Sequence, residues 1–310
     1  MAAETFHTLI ARNKRNSWLL IVLFGLFFVG MGLLIGRVWG RGDARFSIGV
    51  AVAAAGVAFV MTLASYYGGT SAVLGIAKAR QIAKPDDPQL FNVVEEMAIA
   101  AGIPMPKVYL IDDSAPNAFA TGRNPTHAVV AITTGLRQKL TRDELQGVIA
   151  HEISHVRNYD ILFAMLMAVM VGVLVMLCDL FLRSMWWGGG RRKRRDREGG
   201  GGAEALLVIV ALVLAILAPL LARIIHMAMS RQREYLADAS GVELTRNPDG
   251  LASALAKISN DPEVLEVANR ATAHMYIVHP IKRFEKRASS IFSTHPPLKE
   301  RVQRLLSLTR

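Results

Sequence analysis

From Ser17 to Gly36 the chain runs for twenty residues without a charge, "SWLLIVLFGLFFVGMGLLIG". No other feature limits the fold as strongly. A helix needs about 20 apolar residues to cross the hydrocarbon core of a bilayer, and in lipid its backbone groups must be paired within the segment. Phe46 to Ala77 is a second uncharged run, rich in Ala, Val and Gly. Both are expected to span. Two runs of eighteen residues follow, Ile161 to Cys178, cut off by Asp179, and Ala205 to Ala222, interrupted by Pro219. These form either short spans or apolar helices packed at the membrane surface. The first run is longer than a signal-peptide core and no small-residue cleavage pattern follows it, so it is expected to stay as an anchor.

A net charge of +11 over 310 residues raises the question of nucleic acid. No aromatic-basic recognition motif accompanies the charge, and in a membrane protein basic flanks serve topology and anionic headgroups. No nucleic-acid partner is expected; the lipid bilayer is. The single cysteine, Cys178, falls inside an apolar run and excludes an intrachain disulfide.

Residues 1–66 read as a polar tail with two transmembrane helices, and 67–310 as a second, largely soluble unit. The second unit is interrupted by a hydrophobic helical pair at 161–182 and 205–227, with a basic Gly-rich loop over 183–204 between them. Before the pair, residues 85–103 have the spacing of an amphipathic helix closed by Gly102. Residues 107–113 read as a short strand, and 117–122 and 128–136 as two more, with turn chemistry in "RNPTH" between them. Thr141 and Glu144 then form a capping box that opens a helix.

That helix carries "HEISH". Positions i and i+4 lie about 40° apart on a helix, so His151 and His155 can present nitrogens to one cation. Glu152 is turned by about 100°, too far round to be a natural third ligand but within reach of water at the metal. Zinc chemistry calls for this division between neutral nitrogen ligands and a separate carboxylate that takes the proton. A third ligand is still required. In "SRQREYLADAS" Glu234 and Asp238 again stand at i and i+4. They suit a ligand and a neighbouring carboxylate that fixes a histidine tautomer, or else an ordinary solvated helix face flanked by Arg231 and Arg233. Asp160 is either an acid behind the ligands or a solvated residue at the membrane edge.

"HEISHVRNYD", an apolar pair, "SRQREYLADASGVELT" and "STHPPLKERVQRL", in that order and preceded by "PNAFATGRNPTHAVVAITTGL", resemble the HtpX family of membrane-bound zinc metallopeptidases, relatives of the type I CAAX prenyl endopeptidases. The resemblance covers essentially the whole chain. It implies a mainly α membrane protein whose transmembrane helices carry a zincin-like α+β metallopeptidase domain with a small β-sheet. It implies one Zn2+ held by His151, His155 and Glu234, with Glu152 as the catalytic carboxylate. It places His295 near the scissile carbonyl and makes Asn117, Ala118, Phe119 and Ala120 part of an edge strand along which a substrate lies extended. Asp238 and Asp160 would then stand behind the ligands. The implied activity is endopeptidase cleavage of damaged or misfolded membrane proteins, with polypeptides as partners.

The resemblance and the many Lys and Arg after Arg223 point to the inner cell membrane with a cytoplasmic active site. "RRKRRDR" then meets the positive-inside tendency in one of two ways: the second apolar pair forms a hairpin that does not cross, or the first pair outweighs the loop. A more specific processing protease, or a scaffold or transporter with a fortuitous HExxH, are the rival readings; the last predicts no bound zinc.

Overall fold

The computed structural model describes residues 6–40, 42–170, 231–266, 272, 275–277 and 296–307. His295, residues 171–182, the 183–204 loop and the 205–227 run lie outside the described residues.

The two long apolar runs are helices, α1 (Phe6–Trp39) and α2 (Ala44–Ile76). Gly36 lies against Ser47 and Gly32 against Ala51, the pairing of an antiparallel hairpin. Asp43 caps α2 by accepting from the Arg45 N–H. Large apolar side chains on this hairpin face outward, including Trp18, Leu26, Val52, Phe59 and Val60, as a lipid solvent requires. Thirty-four residues of α1 measure about 50 Å at 1.5 Å per residue, more than the ~30 Å hydrocarbon core. The helix therefore has turns to spare, and its first ones meet the second unit. α2 continues to Ile76, and its end packs against the sheet through Val73, Leu74 and Ala77, which cluster with Ile111, Phe119 and Val129.

Asp87 caps α3 (Pro88–Ala101) and Gly102, with φ 67°, ends it. β1 (Arg80–Gln81), β2 (Lys107–Ile111), β3 (Ala118–Gly122) and β4 (Ala128–Thr133) form a sheet of order β1-β2-β4-β3. β2 and β4 are parallel, and β3 is the outer strand, antiparallel to β4. Alternate residues of β3 and β4 feed two apolar clusters, Ala118, Ala120, Val130 and Ile132 on one face and Phe119, Val129 and Ala131 on the other. The strand read over 128–136 stops at Thr133, whose side chain accepts from the Leu136 N–H and starts the short helix α4 (Thr134–Lys139).

α5 (Arg142–Arg157) opens on the Thr141–Glu144 capping box and runs through the core, with Leu145, Val148, Ile149 and Ile153 fully buried. α6 (Asp160–Met170) follows after Tyr159. Its Phe163, Met165, Leu166, Met167 and Met170 pack with Leu20, Phe24 and Ala58 of the hairpin; these methionines are packing residues. α7 (Arg231–Thr245) and α8 (Pro248–Asn260) lie against α5, and α9 (Leu298–Ser307) against α8 and α7. Two glycines permit the closest crossings. A Cβ at Gly147 would stand 2.7 Å from the Leu251 backbone nitrogen, and one at Gly241 would stand 3.3 Å from the backbone nitrogen of His151.

Candidate metal centre

The capping box sets the start of α5, and from there the helical period turns His151 and His155 onto one side. Their Nε2 atoms lie 3.2 Å apart. Glu234, from the first turn of α7, completes the group: its Oε2 is 3.6 Å from His151 Nε2 and its Oε1 3.7 Å from His155 Nε2. All three ligand atoms lie within 4.8 Å of one another. Zn–N and Zn–O bonds of 2.0–2.2 Å in a tetrahedron separate ligand atoms by about 3.3 Å. The donor set therefore fits one such ion in both spacing and kind.

The far nitrogens support that reading of the donors. His151 Nδ1 is 3.0 Å from Asp238 Oδ1, and His155 Nδ1 is 3.0 Å from Asp160 Oδ2. A carboxylate only accepts, so each Nδ1 donates and each Nε2 turns a lone pair toward the shared point. Glu234 and Asp238 are 8% and 4% exposed. The solvated alternative for this pair is corrected: α7 packs across α5, with Gly241 at His151, and turns that face inward.

Two residues that sequence reasoning missed tie this layer down. Arg301 of α9, with no exposed surface, donates from Nε and Nη2 to Asp238 at 2.8 and 2.6 Å, and its Nη1 lies 3.3 Å from Glu234 Oε2. Asn13 of α1, also buried, donates to Asp160 Oδ1 at 2.6 Å and to the Asn158 carbonyl at 2.8 Å. Asn13 sits in the polar tail ahead of the first apolar run, and Arg301 is one of several basic residues on a short amphipathic helix. Neither carries a local signal. Arg233 adds a cation 3.7 Å from Asp160 Oδ1.

The electrostatics follow from burial against these partners. Burial alone would lower the pKa of His155, but the hydrogen bond to Asp160 and the charges of Glu234 and Glu152 prevail and raise it to about 9. The same field draws a cation to the Nε2 atoms. Burial lowers the pKa of His151, with Arg301 adding to the effect against Asp238. Asp238 is held below the usual carboxylate range: burial opposes this, and Arg301 and His151 outweigh it. Glu152, 2% exposed, is pushed up by burial to about 7. Its carboxylate faces the backbone N–H of Ala120 and the charge of His155, both of which favour the ionised form.

A cleft of about 60 Å³ joins His151, Glu152, His155 and Glu234 to Ala120 of β3 and to Met275, Tyr276 and Ile277. The outer edge of β3 is partly taken. Ile277 N–H donates to the Ala118 carbonyl at 3.0 Å, and the Tyr276 ring meets Phe119 edge-on at 5.1 Å. Asn117 accepts through its side-chain oxygen from the Ala118 N–H at 3.0 Å, while its own N–H donates to Thr133 Oγ1. Ala118 and Ala120 thus direct main-chain groups to the cleft side, and Phe119 and Asn117 are occupied elsewhere.

The sequence pattern of peptidase family M48 matches residues 84–309. A protein described as "Protease HtpX homolog" from Caldanaerobacter subterraneus subsp. tengcongensis is 45% identical over 315 residues, covering 100% of each chain. Another of that description from Lactobacillus helveticus is 43% identical over 297 residues, covering 96% of this chain and 97% of its own. The crystal structure of S. mikatae Ste24p resembles the fold at a TM-score of 0.49 and 20% identity, over 93% of this chain and 66% of that one. With a family pattern over most of its length and relatives that match end to end, this chain belongs to peptidase family M48, among the HtpX proteases, and is a membrane metallopeptidase.

Proposed function

We propose that the chain is a zinc endopeptidase of the inner cell membrane that cleaves damaged or misfolded membrane proteins, with its active site on the cytoplasmic side. The observation that carries the reading is the convergence of His151 Nε2, His155 Nε2 and a Glu234 carboxylate at zinc-ligand spacing, with Glu152 beside them. Zinc held by these three residues supplies a Lewis acid for the scissile carbonyl and makes water ionisable near pH 7. Glu152 takes a proton from the attacking water and hands it to the leaving amine. A carboxyl with a pKa of about 7 is matched to both transfers at neutral pH. Asp160 and Asp238 keep the two imidazoles in the tautomer that leaves Nε2 free.

The Ala118 carbonyl is the main-chain group that an extended substrate meets, with Ile277 now holding it, while the Ala120 N–H orients the Glu152 carboxylate. Main-chain pairing reads no particular sequence, which suits unfolded clients. The family resemblance supports a role for His295, which lies outside the described residues, as a donor to the carbonyl oxygen.

Replacing Glu152 by Gln preserves the shape and removes the base. Cleavage of a membrane substrate is expected to fall by at least about 10²-fold, with one zinc per chain retained by elemental analysis. Wild-type cleavage by this variant would sink the assignment.

A further inference from the structure

A second and larger cavity, of about 690 Å³, opens between α1, α2 and α6. It does not lead to the zinc ligands. The cleft at the metal centre is lined by Asp160, Ile161 and Ala164, whereas this cavity is lined by Tyr159, Leu162 and Leu166. At about 100° per residue, Leu162 and Leu166 lie on the side of α6 opposite Asp160, Ile161 and Ala164.

The cavity has two chemically different ends. Along the hairpin its walls are apolar, with Ile21, Val29 and Ala58 among them, and Trp18 and Phe59, 68% and 64% exposed, stand at its rim toward the hydrocarbon. At the other end are two cations from separate parts of the chain, Lys14 of α1 and Arg123 from the turn after β3. Lys14 Nζ lies 4.3 Å from the Tyr159 ring centroid, and the Arg123 guanidinium 5.2 Å from that of Tyr67. Neither cation makes an ion pair among the described residues. Tyr66, Tyr67 and Tyr159 around them are the aromatic lining expected at headgroup level. Unpaired cations over an apolar slot that opens sideways into lipid complement an anion carrying an acyl chain.

We propose that this cavity is a binding site for an anionic phospholipid, with its phosphate on Lys14 and Arg123 and an acyl chain along the α1–α2 groove. Each cation near a membrane surface contributes roughly a fivefold preference for an anionic headgroup. The two together set a preference on the order of 10- to 30-fold.

The full-length protein is reconstituted in vesicles of equimolar phosphatidylglycerol and phosphatidylcholine, extracted gently, and its retained lipid identified by native mass spectrometry. Phosphatidylglycerol is expected to exceed phosphatidylcholine by about tenfold or more, and the double variant Lys14→Gln/Arg123→Gln is expected to bring the ratio to parity. A Cβ at Gly25, which lines the cavity, meets nothing within 4 Å. Gly25→Leu is therefore expected to fill the slot and lower retention of both lipids without lowering the thermal midpoint. Equal retention by the wild type, or a ratio unchanged in the double variant, would overturn the proposal. So would inorganic phosphate in phosphatidylcholine vesicles reproducing the thermal stabilisation given by phosphatidylglycerol, since the site would then take a free anion. If the double variant does not fold, the wild-type ratio and Gly25→Leu decide the matter.

Discussion

At Asp160 the membrane hairpin and the metal centre share a carboxylate: Oδ2 accepts from His155 at 3.0 Å while Oδ1 accepts from Asn13 of α1 at 2.6 Å. The chain of contacts runs from the first turns of α1 to the imidazole of His155, a candidate metal ligand, through two side chains. Residues behind metal ligands fix ring orientation, and their loss costs about 10–100-fold in affinity. Asn13 stands one contact further out, so Asn13→Ala is expected to weaken zinc retention by about tenfold. Dialysis of the purified protein against graded chelator, with residual zinc counted per chain, measures this. An unchanged chelator midpoint would mean that Asp160 holds its place without α1. Arg301 plays the matching part for Asp238. It is buried and doubly hydrogen-bonded to that carboxylate, a geometry that a lysine cannot reproduce.

At the scale of elements, α5 is tied to its neighbours at both ends of its first half. Glu144 accepts from the Thr141 N–H at 2.8 Å as part of the capping box, and also from Ser253 Oγ at 2.6 Å and Lys257 Nζ at 2.7 Å on α8. Burial would raise its pKa, but the hydrogen bonds from Lys257, Ser253 and Thr141 prevail and bring it down to about 2. A carboxyl whose folded pKa is depressed stabilises the fold above its unfolded value of 4.5, and that contribution is lost as pH falls from there toward 2. Glu144→Gln is thus expected to cost roughly 1–3 kcal/mol at pH 7 and to flatten the acid limb of a plot of thermal midpoint against pH between those values. Parallel acid limbs for the two proteins would refute it. Gly147 makes the same junction from the backbone side. Gly147→Ala places a Cβ 2.7 Å from the Leu251 nitrogen and is expected to cost about 1–3 kcal/mol as α8 is pushed away, read as a lower thermal midpoint.

The elements themselves were largely legible. Gly102, the Thr141–Glu144 box and the uncharged runs are local signals, and helices begin or end at them. Thr133 was misread because a threonine that ends a strand and one that caps a helix look alike until the backbone turns. The partial cover on β3 by Tyr276 and Ile277 had no local signal, since main-chain pairing depends on no side-chain pattern.

Over the whole molecule, the two long helices present apolar side chains outward while the peptidase part buries its own. α6 passes between them, packing on the hairpin from one side and lining the cleft at the candidate metal centre from the other. The proposed cytoplasmic orientation has a direct check. With Cys178 replaced by Ser, a cysteine in place of the exposed Gln138 is expected to react with a membrane-impermeant maleimide only after the cells are opened. Labelling of intact cells would reverse the orientation.

Sequence alone determined what depends on neighbours along the chain: two segments that require lipid, a capped helix, and two histidines one turn apart on it. Tertiary structure decided which distant residues complete the site. A glutamate on a helix reads the same whether it faces water or a metal, and only the crossing of α7 over α5 at Gly241 turned Glu234 and Asp238 inward. Arg301 and Asn13 follow the same rule, since burial and pairing arise from packing between elements that the order of residues does not specify.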